Sequence, residues 1–553
     1  MTVRITKLIA FTPALLFVSY AGFLILTLSA YGVTWDEIGW FDFGYAQWQW
    51  ILHRTPDQLP ESYNFYYGSL PSLAAAATHH LFHETLHWVS SDTGYHLANV
   101  GFALALALGL LVWGKQALGT SGASAALLVW MLLPRLWPDA RYNISDLPGA
   151  AGYLWAAWAV WRISRAKQAR VVDYLLWGFL TGLAYSLRAP NVYFLGLAIL
   201  IWLAVCRWVL KMRWPALTWW GPLVALVVFF LTVKLANPFL WDRSVVMHVL
   251  WTNPNAYLYS GLGKTELWFM GRYFPFGSAP MYYAPWTWFI STPLVVLLCW
   301  GSGVWKIPLD GGNAASTSLF WLILWATAII KHSLGFGNYD GIRHFMESYP
   351  PMTLLAAQGL LLLLERIQAW SLWTKRLAYA FLILAAIEPL YTGWRIHPYQ
   401  AGYFNIFAGS TSHAWKQYEI DYWGQSFLSA SKWVKKNIDP QQTVYASDAG
   451  HIARFYLEPI FKTTPICNYA CSKADKVYIK TTVDAAAPGS VLMALNRPHI
   501  WENDSNGKRS EAFECPSGWR MIHQEAPDSK LRPLMVLCQK NGNGHGTEAT
   551  RRN

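Results

Sequence analysis

The chain has 553 residues, 54% of them hydrophobic and only 13% charged, with 34 Trp, 29 Tyr and a formal net charge of +12. Soluble domains average about 25% charged residues, so a soluble globular protein is excluded and an α-helical polytopic membrane protein is expected, its Trp and Tyr suited to the bilayer interfaces. The cations are spread between apolar stretches, which assigns them to membrane sidedness and leaves no nucleic-acid partner; no Gly-rich phosphate loop of the Walker type is present.

Runs of about 20 apolar residues predict about eleven spans, near 6–29, 94–114, 119–134, 147–163, 171–188, 190–210, 216–236, 285–305, 316–333, 347–365 and 376–393. Arg4 and Lys7 precede the first. Arg162, Arg165, Lys167 and Arg170 follow the fourth, and Arg207, Lys211 and Arg213 follow the sixth. Arg366, Lys375 and Arg376 lie between the tenth and eleventh. With these loops inside, the amino terminus is cytoplasmic and everything after about residue 394 is extracytoplasmic. The first span is long, and no clear small-x-small cleavage site precedes Trp35, so it reads as an uncleaved anchor in a cell membrane. The expected organisation is a transmembrane unit over 1–393, with outer loops 30–93 and 237–284, and an extracytoplasmic unit over 394–553.

In chain order, the first polar feature is Thr34-Trp35-Asp36-Glu37, just past the first span. Two adjacent carboxylates at a membrane edge are costly to half-desolvate and point to function or to a specific partner; a solvated loop dipeptide is the bland alternative. The loop from Pro134 to Pro148 places Asp146 where the next helix begins, a position that also suits a helix cap. Arg188 lies in a further outer loop, and Arg243, Lys264 and Arg272 lie in the loop at 237–284. Tyr339 to Phe345 (Tyr-Asp-Gly-Ile-Arg-His-Phe) sits between the ninth and tenth spans. Cations beside carboxylates on one side of a membrane suit an anionic lipid headgroup, because Arg binds phosphate oxygens bidentately. For Arg343 the competing reading is a salt bridge to Asp340 or Glu347.

The tail shifts in composition. Short strand-like runs at Thr443–Ala446 and Val477–Ile479 and a helical pattern near 425–437 predict a small α/β domain. It holds Cys467, Cys471, Cys515 and Cys538. An oxidising exterior favours disulfides over a zinc site. Four cysteines allow three pairings; Cys467 with Cys471 and Cys515 with Cys538 are the favoured ones. Cys206 and Cys299 lie in spans as core residues.

Five motifs occur in register: Trp35-Asp36-Glu37; Asn143 to Pro148; Tyr339 to Phe345; Pro398-Tyr399-Gln400 with Tyr403 and Asn405; and Asp421-Tyr422-Trp423-Gly424. In this order and spacing the chain resembles the GT-C superfamily of integral-membrane glycosyltransferases, specifically the protein O-mannosyltransferase and aminoarabinose transferase relatives. The resemblance covers residues 35 to 424 and implies a GT-C bundle that takes a sugar from a polyprenyl-phosphate carrier and passes it to a lipid, glycan or protein acceptor on the extracytoplasmic side. It casts Asp36 as the base that accepts the acceptor's proton, with Glu37 assisting it or holding a neighbouring cation. The donor phosphate would be held by Arg343, His344, Lys264 and Arg272. Asp146 would orient Asp36 or share a divalent metal ion with it; relatives differ on metal use. Asn143, Tyr339, Tyr399, Asn405, Asp421 and Tyr422 carry the motifs without an assigned role.

Two readings compete. His83-Glu84-Thr85-Leu86-His87 matches the zinc signature H-E-x-x-H, and Leu309-Asp310-Gly311 resembles the element that completes the metal site of intramembrane proteases. The predicted topology puts Asp310 on the other side of a bilayer of about 30 Å, too far for one shared ion. A transporter would need discontinuous helices and internal repeats, and neither is evident in the sequence.

Overall fold

The structure, a computed structural model, describes residues 2–53, 67–212, 218–254, 267–274, 278–335, 339–447, 449–465, 483–495, 515–528 and 531–541, with side chains from residue 12 onward. Helix covers every stretch expected to span. These are α1 (Thr2–Leu26), α4 (Ser91–Met131), α6 (Asp146–Arg165), α7 (Val171–Trp208), α8 (Gly221–Ala236), and later helices at Tyr283–Ser291, Leu294–Lys306, Gly312–Ser333, Tyr349–Gln368 and Leu372–Arg395. Between α1 and α4 lie α2 (Glu37–His53) and α3 (Leu70–His79), and α5 (Leu136–Tyr142) precedes α6. The chain is a polytopic helical membrane protein.

Spans expected as pairs are joined in two cases. α4 runs 41 residues and α7 runs 38, about twice the 20 that a bilayer needs. Each is broken once: α4 at Gly119 (φ 78°), α7 at Arg188, whose extended backbone (φ −160°, ψ 92°) precedes Pro190 by two residues. The breaks fall where the hydropathy pattern put its boundaries, but single residues make them instead of loops. By length and apolarity, five of the described helices can cross a membrane, or six if the pair Tyr283–Ser291 and Leu294–Leu309, bent by 115°, counts as one. That bend is stapled from a distance. Asn405 Nδ2 donates to the carbonyls of Phe289 and Thr292, both at 2.7 Å, and the Asn405 amide donates to Ile290 at 2.8 Å.

The largest core fills the bundle with Trp113, Trp130, Trp321, Tyr153 and many Ala and Leu. Residues 396–420 belong to this same core through Ile396, Tyr399, Tyr403, Trp415 and Ile420. A separate core starts at Phe427, after the boundary expected at 394. There a five-stranded sheet has the order β4-β3-β5-β7-β6. β3 (Val444–Ala446) pairs in parallel with β4 (Thr463–Pro465) and β5 (Val491–Leu495); β7 (Met535–Lys540) runs antiparallel to β5 and to β6 (Trp519–Glu525). β1 (Leu267–Phe269) and β2 (Arg272–Phe274) form a separate hairpin. The helices Phe427–Asn437 and Gly450–Leu457 lie on the five-stranded sheet, using Phe427, Val434, Ile452 and Leu457. The helix expected near 425–437 and the strand at Thr443–Ala446 are therefore present. Cys515 and Cys538 form the expected disulfide, and Cys206 and Cys299 are free thiols. Cys467, Cys471 and the strand expected at 477–479 lie outside the described residues.

Small residues decide how closely two of the helices pack. A Cβ on Gly359 would fall on the carbonyl oxygen of Cys299, and one on Gly303 on that of Leu355. Backbone thus lies against backbone between Leu294–Lys306 and Tyr349–Gln368, the close approach that small residues permit in membranes. Gly359→Ala should force these helices apart and lower thermal stability in detergent by ~1–3 kcal/mol, the range for overpacking. Gly301→Ala, with nothing within 4 Å of the added Cβ, is the matched control. Equal melting temperatures would show that the two helices can part without cost.

Candidate functional site

Arg343 is the centre of the site. The segment around it opens on Asp340 and Gly341, both with positive φ (53° and 66°), conformations that Asp tolerates and Gly favours. The turn aims Asp340 back at Arg343, whose Nη2 lies 2.7 Å from Asp340 Oδ2. Arg343 Nη1 donates to Asp36 Oδ2, 307 residues away in sequence. The guanidinium also lies 4.6 Å from the Trp423 ring and 5.6 Å from that of Tyr339. Burial alone would lower the Arg343 pKa, but Asp36 and Asp340 outweigh it and hold the group well above its ordinary value. The expected partner Asp340 is therefore present. Glu347 is not a partner, because it pairs with the buried Lys331.

Asp36 precedes α2, and its side chain is 38% exposed, against 10% for Arg343. The next residue goes the other way. Glu37 is buried, accepts from the Thr34 amide at 2.7 Å and the Thr34 hydroxyl at 2.9 Å, and lies 2.9 Å from His96 Nε2. Of the two roles expected for Glu37, the contacts match holding a neighbouring cation. Burial raises its pKa, and His96 and the Thr34 bonds oppose that.

Asp146 is the first residue of α6, yet the helix start is bound by another side chain. Asn143 Oδ1 accepts from the Asp146 amide at 2.8 Å, while Asn143 Nδ2 donates to Asp139 Oδ1 at 2.8 Å. The Asp146 carboxylate faces Arg188 Nη1 at 2.6 Å instead. The break in α7 delivers that arginine, which also donates to Ser145 Oγ at 2.7 Å. The cap expected of Asp146 is thus made by Asn143. Asp146 also feels the charges of Arg343 and Asp36.

Asp139 belongs to the same site and was not singled out. It is buried beside Asp146, and desolvation followed by that like charge raises its pKa to about 7, against the pull of Asn143, Arg135 and Arg343. The clue was spacing: Asp139, Asn143 and Asp146 fall four and three residues apart, the intervals at which helical side chains meet. The Tyr422 hydroxyl is buried and feels the charges of Arg135, Asp139, Asp340 and Arg343. The Tyr422 and Tyr142 hydroxyls, Asp139 Oδ2 and Asp146 Oδ2 are buried without a hydrogen-bond partner among the described residues.

Other expected residues stand elsewhere. His344 is buried beside Tyr339 (ring centroids 4.4 Å apart); desolvation and the charges of Arg343, Arg188 and Lys331 hold it well below its ordinary pKa. Arg272 is exposed on β2, and no contact joins it to Arg343 among the described residues; Lys264 lies outside them. Asp421 accepts from the amides of Gln425 at 2.6 Å and Ser426 at 3.2 Å, closing the turn into the helix Phe427–Asn437. The Tyr399 hydroxyl lies 2.8 Å from Ser429 Oγ. Asn405 holds the bend after Ser291.

Neither metal reading finds a ligand set. Asp36 and Asp146 each face an arginine, and no group of three or more His, Cys, Asp or Glu side chains is placed for a metal ion among the described residues. The H-E-x-x-H stretch passes through a π-helical turn (His80–Thr85), and His87 has left-handed backbone (φ 53°). His83 Nδ1 lies 2.9 Å from the Val89 carbonyl, His87 Nδ1 lies 2.9 Å from the His83 carbonyl, and Glu84 turns to His80 at 2.7 Å. Asp310 lies 3.3 Å from Lys306.

The raised pKa of Asp139 has a consequence for stability. The folded chain holds this proton up to about 7, whereas an unfolded Asp releases it near 3.8. The stabilisation is complete below the unfolded value and is lost as pH rises through about 7. Asp139→Asn should flatten the fall in melting temperature between about pH 4 and pH 7. Parallel wild-type and variant curves in detergent would show that Asp139 does not hold a proton there.

No protein-family model matches the chain, and no curated protein matches it. Among solved structures, the chain is similar to the crystal structure of ArnT from Cupriavidus metallidurans bound to undecaprenyl phosphate, at 12% identity over 95% of this chain and 97% of that one, with a TM-score of 0.49. The apo state of the same protein is similar at 11% identity, the same coverage and a TM-score of 0.49. The cryo-EM structure of the arabinofuranosyltransferase AftD from Mycobacteria is similar at 13% identity over 98% of this chain and 40% of that one, with a TM-score of 0.45.

Proposed function

We propose that the chain is a membrane glycosyltransferase that moves a sugar from a polyprenyl-phosphate carrier to an acceptor on the extracytoplasmic side, with Asp36 as the base. The observation that carries this reading is the Asp36–Arg343 pair, in which the exposed member is the carboxylate and the buried member is the cation. A donor phosphate entering the site offers oxygens that match the guanidinium fork, and in taking that fork it releases Asp36. The acceptor hydroxyl then gives its proton to Asp36, and its oxygen bonds to the anomeric carbon. The bond from that carbon to the phosphate oxygen breaks, and the polyprenyl phosphate leaves with the electron pair. Arg343 receives the developing charge. Asp146, held by Arg188, keeps a second negative charge near Asp36. The buried hydroxyls of Tyr142 and Tyr422, which lack protein partners among the described residues, suit a hydroxyl-rich ligand such as a sugar. No step is routed through a metal ion, since the two carboxylates face arginines.

Asp36→Asn should leave folding intact and reduce transfer from a polyprenyl-phosphate sugar by ~10²–10⁴-fold, the contribution of a general base. Near-full turnover in that variant would remove Asp36 from the chemistry. Arg343→Lys keeps the charge but loses the fork, so binding of a donor analogue should weaken, and Arg343→Ala should weaken it further. Acceptor binding should be unaffected in both. Unchanged donor affinity in Arg343→Ala would leave Arg343 with a structural role alone.

A further inference from the structure

α6 carries a charged residue at each end, with Asp146 opening the helix and Arg165 closing it. At about 1.5 Å per residue, its 20 residues separate those ends by roughly 28 Å, close to the thickness of a bilayer core. The surroundings of Arg165 are thus on the opposite membrane face from the Asp36–Arg343 pair. The helices line a half-open cavity of about 400 Å³ there, whose wall includes Arg165, Lys306, Asp310, Trp161, Gln116 and Gln358.

The charges in this wall do not cancel. Lys306 Nζ lies 3.3 Å from Asp310 Oδ1, and Asp310 Oδ2 accepts from Gln358 Nε2 at 3.2 Å. Arg165 is half-buried, and its Nη2 donates only to neutral acceptors, the Thr317 hydroxyl and the Asn313 carbonyl. Its guanidinium lies 5.6 Å from the centre of the Trp161 ring. No carboxylate pairs with it among the described residues, whereas Arg162, three residues earlier, has Asp173 at 3.1 Å. Partly desolvating a cation without a counter-charge is costly. Basic pockets between membrane helices are known takers of phosphate headgroups, and a volume of about 400 Å³ lies at the low end of ligand pockets. It fits a headgroup and leaves acyl chains outside.

We propose that this cavity binds the phosphate group of an anionic lipid from the leaflet opposite the Asp36 site, with Arg165 and Lys306 as its cations. The inference goes beyond the transferase reading and does not depend on it.

The test is native mass spectrometry of the purified full-length protein in detergent, with phosphatidylglycerol or phosphatidylcholine added. Wild type should retain phosphatidylglycerol about tenfold better than phosphatidylcholine, the equivalent of one charge-assisted hydrogen bond. Arg165→Gln should abolish that preference, and Arg165→Lys should keep part of it. Equal retention of phosphatidylglycerol by wild type and by monodisperse Arg165→Gln overturns the proposal. Gln116→Glu adds a negative charge to the cavity wall and gives an independent reading if Arg165→Gln misfolds: weaker retention supports the site, and unchanged retention overturns it. Inorganic phosphate separates the sources of the ligand. Retention that survives excess phosphate identifies the lipid as the occupant; displacement supports the same cations holding a soluble phosphate.

Discussion

Everything in the candidate site depends on one buried guanidinium. Arg343 sits where a desolvated cation is tolerated only if carboxylates surround it, and two segments far apart in sequence supply them, Asp340 from its own turn and Asp36 from the first polar loop. The requirement acts in both directions. The cation keeps the loop carrying Asp36 in place, and the carboxylates let the chain keep an arginine inside. Trp423 completes the arrangement by lying against the guanidinium while accepting the Trp35 amide on its carbonyl at 3.0 Å. The residue before Asp36 is thus tied to a group that packs beside Arg343.

The same logic of paired charges recurs through the bundle. Asp146 has Arg188, Glu37 has His96, and Glu347 has Lys331. Truncating one member of such a pair leaves the other buried without compensation, which costs more than the pair itself contributes. A loss of activity at any of them therefore has two possible origins. Comparing isosteric changes such as Asp→Asn with conservative ones such as Arg→Lys separates the two.

Much of this was legible in the sequence, and the failures have physical causes. The hydropathy pattern located the long apolar helices, because a 20-residue apolar stretch has few other places to go, but not α2, α3 and α5, which lie in stretches read as outer loops. It did not show that single residues, Gly119 and Arg188, make the breaks in α4 and α7, since a backbone that breaks for one residue has no compositional mark. The motifs named Asp36 and Arg343, which the fold pairs directly, and Asp146, which the fold pairs with Arg188. They could not separate Asp36 from Glu37. Successive residues at a helix start point about 100° apart, so one of two adjacent carboxylates faces the site and the other the bundle, and tertiary packing alone decides which. The surroundings of His344 are likewise set by other helices, since Arg188 and Lys331 press on its pKa together with its neighbour Arg343. Asn405 and Asp421 carry motifs to which the sequence assigned no role, and in the fold they hold a helix bend and a turn.

The small sheet domain also bears on the site. The Tyr456 hydroxyl accepts from the Val33 amide at 2.6 Å, and His451 Nε2 lies 2.8 Å from the Trp35 carbonyl. Both residues belong to the helix Gly450–Leu457, so the backbone just before Asp36 is gripped from the sheet domain on one side and the bundle on the other. The two units form a clamp with a carboxylate at its closing point. The position of Asp36 is therefore set by two units at once, and the sheet domain reaches it through the backbone groups of Val33 and Trp35.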